Sequence, residues 1–337
     1  MRRLLSAAQA VLLSAGLTAG LTACAAPVTG GADTGAAPRG TGRATAPGTA
    51  TGSPGAVPGG PGTSLIARLG GPGAGAAVLA KVSGERVTFS LSWSGVEPPR
   101  RAEVRRTAGD AGTGGTVLLF DAPLPDGTSA AAGQLTLTDA ALAEALRGRP
   151  GDFTVTLTAA GAPDGVLSGP VTVSDTPVDP LGVIPGGALR ATADGTQESE
   201  AAPGGGGTPG ADGADGAAGE AGEAGEAGGA GGAGDPDAST TVSLDPGQGT
   251  LGYSLAWVNL EPPTQAHLQR GALGQDGEIA VPLFTSALPD TVIALAGTAP
   301  VSDPATLREL ASAPGGFYVS LHTADFPQGA VRGQVFR

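Results

Sequence analysis

The sequence predicts a mainly β protein: two β-sandwich or barrel-like domains of about 100 residues each, with one short helix per domain, joined by disordered linkers. Three observations predict it. The chain repeats itself without gaps at an offset of 164 residues, and positions 87–171 share 31 identities in 85 with positions 251–335. Within each repeat, apolar and polar residues alternate with a period of two, as in Val87, Phe89, Leu91, Trp93 and again in Leu251, Tyr253, Leu255, Trp257. Finally, 60 glycines and 29 prolines in 337 residues exceed what packed cores use, so much of the rest reads as linker.

Residues 1–23 read as a secretory signal. Met1-Arg2-Arg3 is a basic start, and Leu4 to Gly20 is apolar or small apart from Gln9. Leu21-Thr22-Ala23-Cys24 then resembles a bacterial lipobox, a resemblance that implies a diacylglycerol on the Cys24 thiol and cleavage before it. Thioether formation requires a thiol, and Cys24 is the only cysteine of the chain. Each buried CH₂ of such an anchor contributes about 0.8 kcal/mol, so two or three acyl chains hold a protein stably at a membrane. Ala25, where Asp would mark retention, resembles the outer-membrane sorting pattern of two-membrane cells. The expected location is extracytoplasmic, lipid-anchored at the cell envelope. An ordinary signal peptide or a transmembrane anchor is the alternative.

Residues 24–75, rich in Gly, Pro, Ala, Thr and Ser, read as a disordered tether. The first repeat is assigned to 76–174 and the second to 239–337. Between them, 175–238 reads as a disordered acidic linker, and Gly207 to Pro236 forms ten Gly-x-y triplets. A collagen-type trimer needs that period, but only Pro209 and Pro236 supply pre-set backbone, and the acidic residues have no basic partners in the tract. A spacer in a monomeric chain is therefore the expectation, with a trimer as its alternative.

Between repeats, Trp93 matches Trp257, Glu97-Pro98-Pro99 matches Glu261-Pro262-Pro263, and Leu124-Pro125-Asp126 matches Leu288-Pro289-Asp290. Both tryptophans follow strand spacing and read as core; both aspartates follow Leu-Pro and read as turns. Val117–Phe120 and Val281–Phe284 suggest a further strand. Asp303 as N-cap with Pro304 at the first position predicts a helix over Ala305–Ala311; Asp139 predicts its counterpart over Ala140–Arg147, closed by Gly148. Phe317, Val319 and Leu321 alternate with Tyr318, Ser320 and His322, and Pro327-Gln328-Gly329 turns the chain into Val331–Val335.

That closing stretch, Tyr-Val-x-x-His-Thr, then Pro-x-Gly, then Arg-Gly-Gln, resembles the end of the CHRD (chordin-type) domain, and Ala266-His267-Leu268 resembles its earlier histidine motif. The resemblance covers about Thr241 to Phe336. Family members carry His-x-His at the earlier place, where this chain has Gln269 second and the following glycine displaced to Gly271. In the first repeat Glu103, Thr158 and Ser168 stand opposite His267, His322 and Arg332, so that copy reads as degenerate scaffold. The resemblance implies a binding or adhesion module for an extracytoplasmic protein or glycan rather than an enzyme.

His267 and His322, the only two histidines, fall on the polar sides of their strands, as do Arg332 and Gln334. Two roles are open for this cluster. It is either a hydrogen-bonded layer that fixes strand register or a metal site built on His267 and His322. The absence of a third ligand from the motif favours the structural role and no cofactor. No Gly-x-Ser-x-Gly elbow occurs, and a lipidated Cys24 is no nucleophile, so a hydrolase has no motif behind it. A net charge of -13 argues against nucleic acid as a partner.

Overall fold

Leu65, Ala67 and Leu69 are buried on alternate positions of Thr63–Gly71, and the strand they make (β1) opens an antiparallel series. It continues through β2 (Ala74–Ser83), β3 (Arg86–Ser94), β4 (Arg101–Arg106), β5 (Thr116–Phe120) and β6 (Thr128–Thr136). A helix, α1 (Ala140–Gly148), then leads to β7 (Phe153–Thr158) and β8 (Val166–Val173). The second half runs β9 (Leu189–Asp194), β10 (Ser239–Pro246), β11 (Thr250–Val258), β12 (Gln265–Arg270), β13 (Ile279–Phe284), β14 (Val292–Pro300), α2 (Pro304–Ser312), β15 (Phe317–His322) and β16 (Val331–Gln334). This is a computed structural model. It describes residues 62–71, 73–107, 115–162, 165–183, 186–198 and 234–337, all within one compact unit, Val57–Arg337. Cys24, the signal segment and most of the Gly-x-y tract lie outside the described residues.

Both helices start as their sequences predict. The Asp139 carboxylate accepts from the amides of Ala141 and Leu142, and Asp303 accepts from Ala305 ahead of Pro304. The first helix does not stop before Gly148; it runs through it, and Arg149 is the C-cap. Each helix buries one face, Leu146 in α1 and Leu307 and Leu310 in α2, against the end of its half's core.

Two boundaries differ from expectation. Strand β1 lies inside the stretch read as tether, and β9 lies inside the stretch read as acidic linker. Each is the first strand of its half. β1 pairs along its whole length with β2, with only residues 72–73 between them in sequence, whereas β9 pairs with β10 although residues 195–238 intervene. The Gly-x-y tract is thus placed within a hairpin of the second half, not between the halves.

The strand order is β5-β4-β7-β8-β1-β2-β3-β6 in the first half and β13-β12-β15-β16-β9-β10-β11-β14 in the second. Each eight-stranded strip curls so that its two ends share a core. In the first half Leu65, Val78 and Phe89 meet Val104, Leu119 and Val155 around a gap of about 20 Å³. β8 passes to β1, and β16 to β9, through close backbone approaches. A Cβ on Gly169 would stand 2.1 Å from the Arg68 carbonyl oxygen, and one on Gly333 2.6 Å from that of Thr192, so both crossings exclude a side chain.

The two repeats, expected as linked domains, contribute to one sheet. β6 and β14 pair edge to edge, which makes the halves one continuous sheet of 16 strands. The ladder sets Ala131 opposite Leu295, with Ala130 opposite Ala296 and Ala132 opposite Ala294, so the two halves meet about a local two-fold at Ala131 and Leu295. Ala131 and Leu295 are fully buried there.

Candidate functional site

In the second half, β15 lies between β12 and β16. Its register places His267 opposite Ser320 and Ser320 opposite Arg332, while Gln265 stands opposite His322 and Tyr318 opposite Gln334. Ala266, Leu268, Val319, Leu321 and Val331 take the other face and fill the core. Alternation therefore gathers His267, His322, Ser320, Tyr318, Arg332 and Gln334 on the side away from the core. That side is not exposed. His267 retains 5%, His322 7% and Arg332 1% of its possible accessibility.

The cover comes from two places. Residues 271–278, between β12 and β13, fold back over β16. The Arg332 guanidinium donates to the Asp276 carboxylate at 2.8 Å, to the Gln275 carbonyl at 2.5 Å and to the Ala272 carbonyl at 3.2 Å. It also stacks on Tyr318, 3.5 Å from the ring centroid, while the Tyr318 hydroxyl accepts from the Gly277 amide. Gln334 donates to the carbonyls of Gly271, Gly315 and Phe317. Arg332 and Gln334 thus hold the loop to the sheet, because the backbone carbonyls they satisfy would otherwise be buried without donors.

The second cover is the turn after β9. Glu198 lies over Ser320, whose hydroxyl donates to its carboxylate at 3.1 Å, and over Gly329, where a Cβ would come within 2.6 Å of the carboxylate. Burial pushes the Glu198 carboxyl up, against the pull of the Ser320 hydrogen bond and the Arg332 charge; Asp276 adds to the rise. Glu198, Ser320, Tyr318 and Asp276 were not singled out by sequence. For Ser320 and Tyr318 the signal was present, since they share the alternation of His322.

The two histidines come together. Their rings meet edge to face with centroids 5.2 Å apart. His322 Nδ1 lies 3.1 Å from the Pro327 carbonyl, which can only accept, so that nitrogen carries the hydrogen and Nε2 bears the lone pair. Among the described residues, neither His322 Nε2 nor His267 Nδ1 has a hydrogen-bond partner, and both are buried. Burial, reinforced by the neighbouring His322, depresses His267 to about 4. Burial also lowers His322, offset in part by its bond to Pro327. Both imidazoles are therefore neutral at neutral pH. Among the described residues no further His, Cys, Asp or Glu joins them as a group of three or more.

The equivalent face of the first half is ionic. Glu103, opposite His267 in the repeat, is buried and held by Arg101 at 3.0 and 3.2 Å and by Arg105 at 2.6 Å. Arg101 also reaches Asp121 at 2.7 Å. Its charges are satisfied within the chain.

Residues 221–335 match the CHRD domain family, a stretch that takes in β10 to β16 and every residue of the face described above except Glu198. No curated protein and no solved structure matches the chain.

Proposed function

We propose that the chain is a lipid-anchored, extracytoplasmic envelope protein that serves as a non-catalytic binding or adhesion module for a protein or glycan. Its first half is a diverged copy of the CHRD domain and acts as scaffold. The observation that carries the reading is the use of Arg332 and Gln334. Their donors are spent on backbone carbonyls of residues 271–275 and 315–317, so they fasten a loop to the sheet and form no reaction centre. No nucleic acid partner fits a net charge of -13. The β6–β14 pairing supports a monomeric reading, because it uses two strand edges inside one chain. The anchor at Cys24 rests on the Leu-Thr-Ala-Cys motif at the end of an apolar leader.

Expression in a host with lipoprotein processing tests the reading. The protein is expected in the membrane fraction with labelled palmitate on Cys24, and Cys24→Ser is expected to abolish labelling. Soluble, unlabelled protein from the unaltered chain would contradict it. A second reading, a metal-binding envelope protein, is favoured by one observation: His267 Nδ1 and His322 Nε2 are buried without partners.

A further inference from the structure

We propose that His267 and His322 form a two-coordinate site for a cuprous ion, bound through His267 Nδ1 and His322 Nε2. The proposal gives the ligand class for the metal-binding reading and rests on it. Three observations lead there. The rings are adjacent, with centroids 5.2 Å apart. The Pro327 carbonyl fixes the His322 tautomer that leaves Nε2 a free donor pair. Among the described residues His267 Nδ1 and His322 Nε2 are buried and unpartnered, a desolvation cost that the fold leaves uncompensated. A bound ion removes that cost at both atoms together.

The donor set selects the ion. Calcium and magnesium require several oxygen ligands, and none of the nitrogens here serves them. A structural zinc ion takes four ligands in a tetrahedron, and no group of three His, Cys, Asp or Glu is present among the described residues. Two neutral imidazoles bring no charge, so a dication would be poorly compensated. The Born cost of taking an ion out of water grows with the square of its charge, which favours a monocation. Imidazole is a good copper ligand, and a closed-shell cuprous ion is satisfied by two donors. Burial keeps both rings neutral, so no proton must leave when the ion enters. The His322 hydrogen bond to Pro327 orients its ring as an outer-sphere partner does in metal sites. The Arg332 charge nearby is already answered by Asp276 at 2.8 Å, so its repulsion on the bound cation is reduced.

The test uses the full chain as the Cys24→Ser variant, so that the one thiol does not compete and the outcome is independent of anchoring. Cuprous ion is titrated anaerobically against a chromophoric chelator. One equivalent is expected to be held, and His267→Gln or His322→Gln is expected to weaken binding by more than about a hundredfold. Glu103→Gln, on the equivalent face of the first half, is expected to leave it unchanged. Because the chain has only two histidines, ¹⁵N-histidine labelling gives a second readout without substitution. One equivalent of the diamagnetic ion is expected to shift His267 Nδ1 and His322 Nε2 and to leave His322 Nδ1 protonated. A folded chain that holds no cuprous ion, ring resonances that do not move, or copper retained when both histidines are replaced would overturn the proposal. Tight zinc binding to the same nitrogens in place of copper would overturn the choice of ion.

Discussion

His267 and His322 are neutral because the fold has taken them out of water, and that makes stability depend on pH. The folded-state pKa of His267 is about 4 against an ordinary 6.5, and that of His322 is also lowered. A depressed histidine contributes stability that is fully present above its ordinary value and lost as pH falls toward the folded value. The metal-free chain is therefore expected to lose stability between about pH 6.5 and pH 4, by about 2–3 kcal/mol from His267 alone. Urea midpoints measured across that range check this, and His267→Gln is expected to flatten the profile; a wild-type profile flat from pH 7 to 4 would contradict it. Alternation in the sequence was enough to put these residues on one face. Their burial was not legible, because the loop that covers them, Gly271 to Glu278, carries no apolar pattern that predicts folding back. Arg332 fell within a quoted motif, but its carbonyl partners lie some 60 residues earlier and have no side-chain signature.

The strands that were missed show what periodicity can carry. β9 alternates Leu189, Ala191 and Ala193 inward, yet alanine contrasts weakly with its neighbours and the stretch adjoins Gly-rich sequence. β1 has the stronger pattern but follows directly on Pro58-Gly59-Gly60-Pro61-Gly62, and so reads as part of the Gly/Pro-rich tether. Both were recoverable from symmetry, since each half then has eight strands in the same order. Only residues 72–73 separate β1 from β2 in sequence, so the corresponding β9–β10 pairing needs no long connection. Replacing 199–233 with a short Gly-Ser turn is expected to preserve the fold and to leave stability unchanged or raised by up to about 2 kcal/mol. Thermal melting and circular dichroism of the shortened chain check this. Loss of β structure would show that the tract is needed to form the second half. The left-handed turn after β3 and β11 makes the same point about local chemistry: Gly95 adopts φ 71° in one half and Asn259 φ 54° in the other. Glycine and asparagine are the residues that tolerate it, and the Asn259 amide also reaches the Asp237 carbonyl at 3.3 Å.

At the scale of the molecule, the two halves are joined through β6 and β14 in one sheet, with the two-histidine face confined to the second. The repeat was legible as 31 shared residues in 85, but nothing in an edge strand of alanines announces its partner. The ladder relates the two strands by a local two-fold at Ala131 and Leu295. Hydrogen exchange on Ala130–Ala132 and Ala294–Ala296 tests this claim most directly. In a strand, successive amides point to opposite neighbours. With β6 held between β3 and β14, and β14 between β11 and β6, all six amides are expected to be protected and to open only near the free energy of global unfolding. If the halves were separate, β6 and β14 would each be an open edge, and every second amide would exchange at the rate of an exposed strand.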